Sequence, residues 1–200
     1  MMTNRSIPTH IRLRHGRNPW LWVLAILVIS SAAALLPQKE ASKVDDTDTI
    51  AIMKANFLFH FAAGNDWPDE AKVGTFRIGV AGNERLVEEL VDKYAMKPIR
   101  QQVLEIVTLS QEDLQNGPPE PFCHVLYVEQ GHGDLGMLSR ELEDSPTLLV
   151  SHESGGLERG ALINFVTQAN RLRFSMDSEK AKARKLLIGN KILSWAVADQ

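Results

Sequence analysis

The sequence predicts an α/β fold: a Rossmann-like sheet with helices on both faces, a C-terminal β-hairpin and a long terminal helix. Three observations predict it. Short β-branched runs alternate with amphipathic stretches between residues 75 and 151, the rhythm of a parallel sheet covered by helices. Glycine-containing turns separate the runs. The rhythm then breaks, because two strand-like runs flank Thr167-Gln168-Ala169-Asn170, the pattern of a hairpin.

The elements follow in order. A helix is expected to start near Asp48 or Thr49, with Ile50, Met53, Phe57 and Phe61 as its apolar stripe and Leu58 beside them. Gly64-Asn65-Asp66-Trp67-Pro68 ends it. Strands are expected at 75–81, within 101–109, at 123–129 and at 147–151. Helices are expected at 84–94, where Leu86, Val87, Leu90 and Val91 share a face, and at 134–142. Strands at 161–166 and 171–175 form the hairpin. Asp177 or Ser178 then caps a helix running to Val197.

The beginning of the chain carries an address. Four arginines (Arg5, Arg12, Arg14, Arg17) and no acidic residue precede an apolar run from Trp20 to Leu36. A basic arm followed by such a run and by small residues (Ala32, Ala33, Ala34) is an export signal. At 17 residues the run fits either a cleaved signal peptide or a retained N-terminal anchor, with the basic arm on the cytoplasmic side. Residues 1–36 are therefore signal or anchor, 37–49 a polar linker and 50–200 the exported domain. That domain is expected in the periplasm. A single cysteine, Cys123, excludes an intrachain disulfide, so the core must hold the fold. The chain has 22 basic and 25 acidic residues; with four arginines in the arm, 18 basic residues face all 25 acidic ones in the rest. That balance argues against nucleic acid as a partner.

No catalytic, metal or cofactor constellation emerges. Gly131-His132-Gly133-Asp134-Leu135-Gly136 matches a dinucleotide fingerprint, and Glu153 stands where a ribose-binding acid would. The motif comes late in the chain, however, and the helix after it is short, so a glycine-rich strand-to-helix turn is the better reading. Ser154-Gly155-Gly156-Leu157-Glu158-Arg159-Gly160 lacks the Lys-Ser or Lys-Thr of a P-loop. It reads as a loop that could still offer backbone N–H groups to a ligand. The histidines have no partner at metal-site spacing, and Cys123 reads as a buried small residue. Candidate partner contacts are Phe59, off the apolar stripe, Trp67, and the basic face of the last helix (Lys180, Lys182, Arg184, Lys185, Lys191), with Lys182 and Lys185 foremost. Candidate ligand contacts beyond the strand ends are Ser151, Gly155, Asn164, Arg171 and Arg173.

Three segments, taken together, resemble the YfiR family of bacterial periplasmic proteins. They are Lys54-Ala55-Asn56-Phe57-Leu58-Phe59-His60-Phe61 closed by Trp67-Pro68; Cys123-His124-Val125-Leu126-Tyr127-Val128; and Arg159-Gly160-Ala161-Leu162-Ile163-Asn164-Phe165-Val166 followed by Arg171-Leu172-Arg173-Phe174. The resemblance covers roughly Ile50 to Val197. It implies a Rossmann-like periplasmic domain that is regulatory rather than enzymatic. It also implies a partner: the periplasmic region of an inner-membrane diguanylate cyclase, held inactive so that cyclic di-GMP and biofilm growth stay low. This chain departs from the family pattern at Ala161, where a second glycine is usual, at His152, where aspartate is common, and at Gly156, where an aromatic is common. Cys123 has no partner for the disulfides that some members form.

The sequence thus leads to a periplasmic regulator without cofactors that binds a diguanylate cyclase or sensor kinase, with a homodimer left open. The alternative is a small-ligand binding module of solute-binding type.

Overall fold

A computed structural model of the 200-residue chain describes residues 41–198, with side chains from Thr47 onward. The basic arm and apolar run lie outside the described residues. Among the described residues no helix is long and apolar enough to cross a membrane.

The chain begins with α1 (Ala41–Gly64) and a single 3-10 turn at Asp69–Lys72, then β1 (Phe76–Ala81), α2 (Glu84–Tyr94) and β2 (Leu104–Leu109). It continues with β3 (Val125–Glu129), α3 (Leu135–Glu141) and β4 (Leu148–His152). The hairpin strands are β5 (Ile163–Gln168) and β6 (Arg171–Met176), followed by α4 (Ser178–Ala183) and α5 (Asn190–Trp195). Six strands form one sheet in the order β2-β1-β3-β4-β5-β6. All pairs are parallel except β5–β6. The chain leaves β1 for β2 on one side and returns for β3 on the other, so the carboxyl ends of β1 and β3 flank a topological switch point.

Strand side chains alternate between faces. Ile78, Val80, Val125, Tyr127, Leu148, Val150, Ile163 and Phe165 meet α1 and α2 in the larger core. Ala81, Leu126, Val128 and Leu149 meet Leu135, Leu138 and Leu142 around α3 on the opposite face. Asn83 caps α2 by accepting from the Leu86 N–H, and Asp134 caps α3 by accepting from Gly136 and Met137. The expected glycine-rich turn before α3 is therefore present. The hairpin turns on Ala169 and Asn170, both with positive φ (49° and 57°), as a two-residue type I′ turn requires.

Three features differ from the sequence expectation. First, α1 starts at Ala41, so part of the stretch read as linker is helical. Second, the buried stripe of α1 is Ala51, Lys54, Ala55, Leu58, Phe61 and Ala62, while Met53 and Phe57 are only partly buried. Its alanines let the helix approach the sheet closely, which a stripe drawn through the largest apolar residues does not anticipate. Third, the helical segment that closes the chain is in two short pieces. Lys185 takes a left-handed conformation (φ 61°), with Lys185 N–H donating to Lys182 O (2.9 Å) and Leu186 N–H to Ala181 O (3.0 Å). Those two bonds are a Schellman stop, sealed by buried Leu186. Leu187 then pairs with Asp66 in a short antiparallel bridge (2.8 and 3.0 Å) before α5 begins.

Candidate functional site

The most concentrated polar chemistry lies at the switch point. Tyr127 and Glu129 are two residues apart on β3 and share the face that α1 covers. Glu129 stands opposite His152 in the β3–β4 register. Lys54 reaches down from the buried stripe of α1, itself only 2 % exposed. Its Nζ donates to Tyr127 Oη (2.6 Å) and to Glu129 Oε2 (2.8 Å). The same Oε2 accepts from Tyr127 Oη (2.7 Å) and from Asn83 Nδ2 (2.6 Å). His152 Nδ1 lies 3.5 Å from the other carboxylate oxygen.

The electrostatics follow from this geometry. Burial lowers the Lys54 pKa, and the Glu129 carboxylate offsets that only in part. For Glu129 burial favours the neutral acid, but the bond from His152, the Lys54 charge and the bond from Asn83 outweigh it and hold the carboxyl well below its usual range. Burial and the neighbouring Glu129 charge raise the Tyr127 phenol, keeping it a neutral donor. Lys54 and Glu129 thus form a charged pair whose bonds are spent on one another and on Asn83, Tyr127 and His152. The network ties α1 to β3 and β4 and, through Asn83, to the start of α2.

The expected ligand residues divide between two places. Ser151 and Asn164 are buried, and Asn164 Oδ1 accepts from Ser151 Oγ (2.8 Å) and Glu153 N–H (3.2 Å). Asn164 Nδ2 donates to Glu153 O (2.9 Å), and the Glu153 carboxylate pairs with Arg159 (2.7 Å). This shuts the 151–160 loop onto the sheet. It also accounts for Gly156: a Cβ there would lie 2.4 Å from Ser151 Oγ and 2.5 Å from Asn164 Oδ1. Gly155 (φ 69°) and Asn164 border a small cavity of about 160 Å³ beside the hairpin. Arg173 lines a different one, of about 340 Å³, with Met53, Asn56, Phe57, His60 and Trp195. Arg171 is exposed and lines neither.

The expected partner residues also fare differently. Trp67 is 4 % exposed, its ring edge-on to Phe76 at 5.0 Å, so it is core and offers no contact surface. Phe59 is half-buried and stacks on Tyr94 at 4.3 Å. Lys182 and Lys185 are exposed, on α4 and its C-terminal stop. Arg184, expected on the same basic face, is buried instead and donates to Ser139 O and Oγ (both 2.8 Å), because the stop after α4 turns it toward α3. Cys123 is buried, and desolvation pushes its thiol up to about 11, as fits an inert core residue.

The segments that carried the family resemblance meet in space. Lys54 of the first contacts Tyr127 of the second, and Phe57 and Phe61 of the first pack on Phe165 and Phe174 of the third. A family model described as YfiR/HmsC-like matches residues 51–197. The chain belongs to the YfiR/HmsC-like family. No curated protein matches it. The YfiR-like family is periplasmic and regulatory rather than catalytic, and it implies a membrane signalling partner. The network closes on Glu129 and Asn83 at the carboxyl ends of β3 and β1, the region where α/β folds commonly place a ligand. Reading by motif missed this network, because it draws on four separate elements. The signal that could have found it is Lys54 itself, a lysine in register with Ala51, Ala55 and Leu58 on the buried stripe of a helix.

Proposed function

We propose that this chain is a non-enzymatic regulator in the periplasm that binds an inner-membrane diguanylate cyclase and represses it, lowering cyclic di-GMP. The observation that carries this reading is the YfiR/HmsC-like match across nearly the whole described domain. The export signal read from residues 1–36 supplies the compartment that such a partner's outer region occupies. Control works by differential binding: the regulator shifts its partner toward the inactive state only by as much as it prefers that state. The test is a deletion strain in which cyclic di-GMP is measured, with pull-down of the tagged full chain from detergent-solubilised membranes. Raised cyclic di-GMP on deletion, restored by the wild-type gene, and co-purification of a membrane diguanylate cyclase are expected. Unchanged cyclic di-GMP with no membrane partner would overturn the reading.

One observation favours a small-ligand role beside this one: the 340 Å³ cavity with Arg173 on its wall. A thermal-shift screen against small organic anions tests it, since a ligand that binds the fold raises its melting temperature. No shift for any anion, or an unchanged shift in Arg173→Gln, would remove that role.

A further inference from the structure

The outer side of the C-terminal half of α1 carries a continuous aromatic strip. Tyr94 stacks on Phe59 (4.3 Å), Phe59 meets His60 (6.1 Å), and His60 meets Trp195 (5.6 Å). All four rings are only partly buried. The strip links three elements that are distant in sequence: the end of α2, α1, and α5. At one end Lys97 Nζ sits over the Tyr94 and Phe59 rings (4.8 and 5.8 Å). At the other, Lys191 Nζ sits over Trp195 (4.9 Å). His60 and Trp195 also wall the 340 Å³ cavity, with Arg173 opposite and no carboxylate in its lining. Two exposed apolar residues flank the strip in sequence: Met96 (95 % exposed), beside Lys97, and Leu193 (41 % exposed), between Lys191 and Trp195 on α5.

The charges on this face are uncompensated. Among the described residues, Lys97, Lys191 and Arg173 form no ion pair, as Lys182 and Lys185 also do not, but of these five only the first three stand over the strip's aromatic rings or on the wall of its cavity. This is a local excess of positive charge in a domain that is acidic overall. Its Tyr94, Trp195 and Arg173 belong to the residue types enriched in interface hot spots, and its two lysines supply charge that steers an acidic partner. The strip runs past the cavity to Lys97, so its chemistry extends beyond what a ligand filling the cavity would touch.

We propose that this strip is the docking surface for an acidic peptide segment of the membrane partner, with carboxylates against Lys97, Lys191 and Arg173 and an apolar side chain in the cavity beside His60 and Trp195. The inference rests on the regulatory function proposed above and names the surface and the partner chemistry that serve it. It replaces the contact surface expected from the sequence: Phe59 stays, Trp67 leaves, and Lys97 and Lys191 take the place of Lys182 and Lys185.

The test is site-specific photocrosslinking in cells, with the full chain carrying a benzophenone side chain at Met96, at Leu193 or at Arg140. Arg140 is exposed on α3, across the sheet. Adducts are identified by sequencing the crosslinked peptide. Crosslinks from Met96 and Leu193 to an acidic segment outside the membrane, at least tenfold reduced by Lys97→Glu with Lys191→Glu and restored by Lys→Arg at both sites, are expected. Both lysines are exposed, and circular dichroism and thermal melting check that the variants fold. A protein adduct from Arg140 alone overturns this surface and leaves the regulatory function standing. Crosslinks from the strip to phospholipid, or to a neutral or basic segment, overturn the acidic-segment chemistry. No adduct from any position overturns the inference, and with cyclic di-GMP unchanged on deletion it overturns the regulatory function as well.

Discussion

Acidification should destabilise this domain through one buried imidazole. His124, at the start of the second family segment, is 2 % exposed. Its Nδ1 accepts from the Arg77 N–H (3.1 Å) and its Nε2 lies 2.6 Å from the Ala71 carbonyl oxygen, which can only accept. Those partners fix the neutral tautomer with the proton on Nε2. Protonating Nδ1 would set a donor against a donor between Phe76 (4.1 Å) and Phe122 (4.7 Å). Burial accordingly lowers the His124 pKa, with the Arg77 charge acting in the same direction and the bond to Ala71 opposing. The sign follows. Above pH ~6.5 the ring is neutral in both the folded and the unfolded chain and contributes no pH dependence. Below it the unfolded chain takes up a proton that the folded chain refuses, so stability falls as pH falls until the folded ring also titrates. With the folded ring neutral throughout, the loss between pH 7.5 and 5.5 reaches about 1.4 kcal/mol, a fall of roughly 3–5 °C in Tm for a domain this size. Glu129 does not act in this window: its pKa is depressed, so its contribution is lost only below the usual carboxylate range. The assay is urea unfolding from pH 7.5 to 5.5 for the wild type, His124→Asn, which keeps the acceptor, and His124→Gln, which keeps the donor. All three are made in a His60→Gln background, because His60 is the other imidazole pushed down by desolvation. Both variants lose stability at every pH; the informative quantity is the slope. A wild-type slope that persists unchanged in both variants would refute the argument.

Other substitutions test the remaining joints. Lys54→Met should destabilise by about 3 kcal/mol, the lower end for breaking a buried pair because the Glu129 side chain is 21 % exposed. Adding Glu129→Gln should recover at least ~1 kcal/mol of that in chemical denaturation, since no unpaired charge then remains. Lys185→Gly should raise Tm by roughly 2–4 °C in calorimetry, because glycine adopts the left-handed stop without the ~1 kcal/mol penalty of a Cβ. Gly160→Ala should leave little folded protein by circular dichroism, since φ is 103° and a Cβ would lie 2.3 Å from the Ser139 side chain.

The sheet and its helices were legible because their signals are local. The 84–94 helix carries its cap in Asn83 and its periodicity in Leu86 and Leu90, and the hairpin carries its turn in Ala169-Asn170. What escaped was whatever depends on which surfaces meet. The Lys185 stop has no glycine to announce it; it exists because Leu186 is buried and Leu187 pairs with Asp66. Arg184 looks solvated in a helical pattern and is buried because that stop redirects it toward Ser139. Trp67 follows a loop-like Gly-Asn-Asp and still ends in the core, because its ring packs edge-on against Phe76 and His124. The candidate ligand residues rest on residue type and position beyond the strand ends, and of these Ser151 and Asn164 meet in the structure. Their polar atoms, however, are bonded to each other and to the Glu153 backbone.

The buried Lys54–Glu129 pair explains why so much of this surface chemistry can be specific. An apolar pair in its place would stabilise as well or better, so stability alone is a weak account of it. Without the pair, α1 would be held through Ala51, Ala55, Leu58, Phe61 and Ala62 by apolar contacts alone, which tolerate repacking more readily than a buried charge tolerates losing its partner. Lys54 removes that freedom, since a shift of one turn, ~5.4 Å, would leave a buried ammonium without Glu129 and Tyr127. The same helix presents Phe59 and His60 some one to two turns further on, so the network at the switch point sets where the aromatic strip stands relative to Tyr94 and Trp195. Loss of the pair should therefore separate two readouts. In Lys54→Met with Glu129→Gln the fold recovers while α1 loses its register lock, so crosslinking from Met96 and Leu193 should fall more than stability does. Crosslinking that recovers in step with stability would show that packing alone positions the helix.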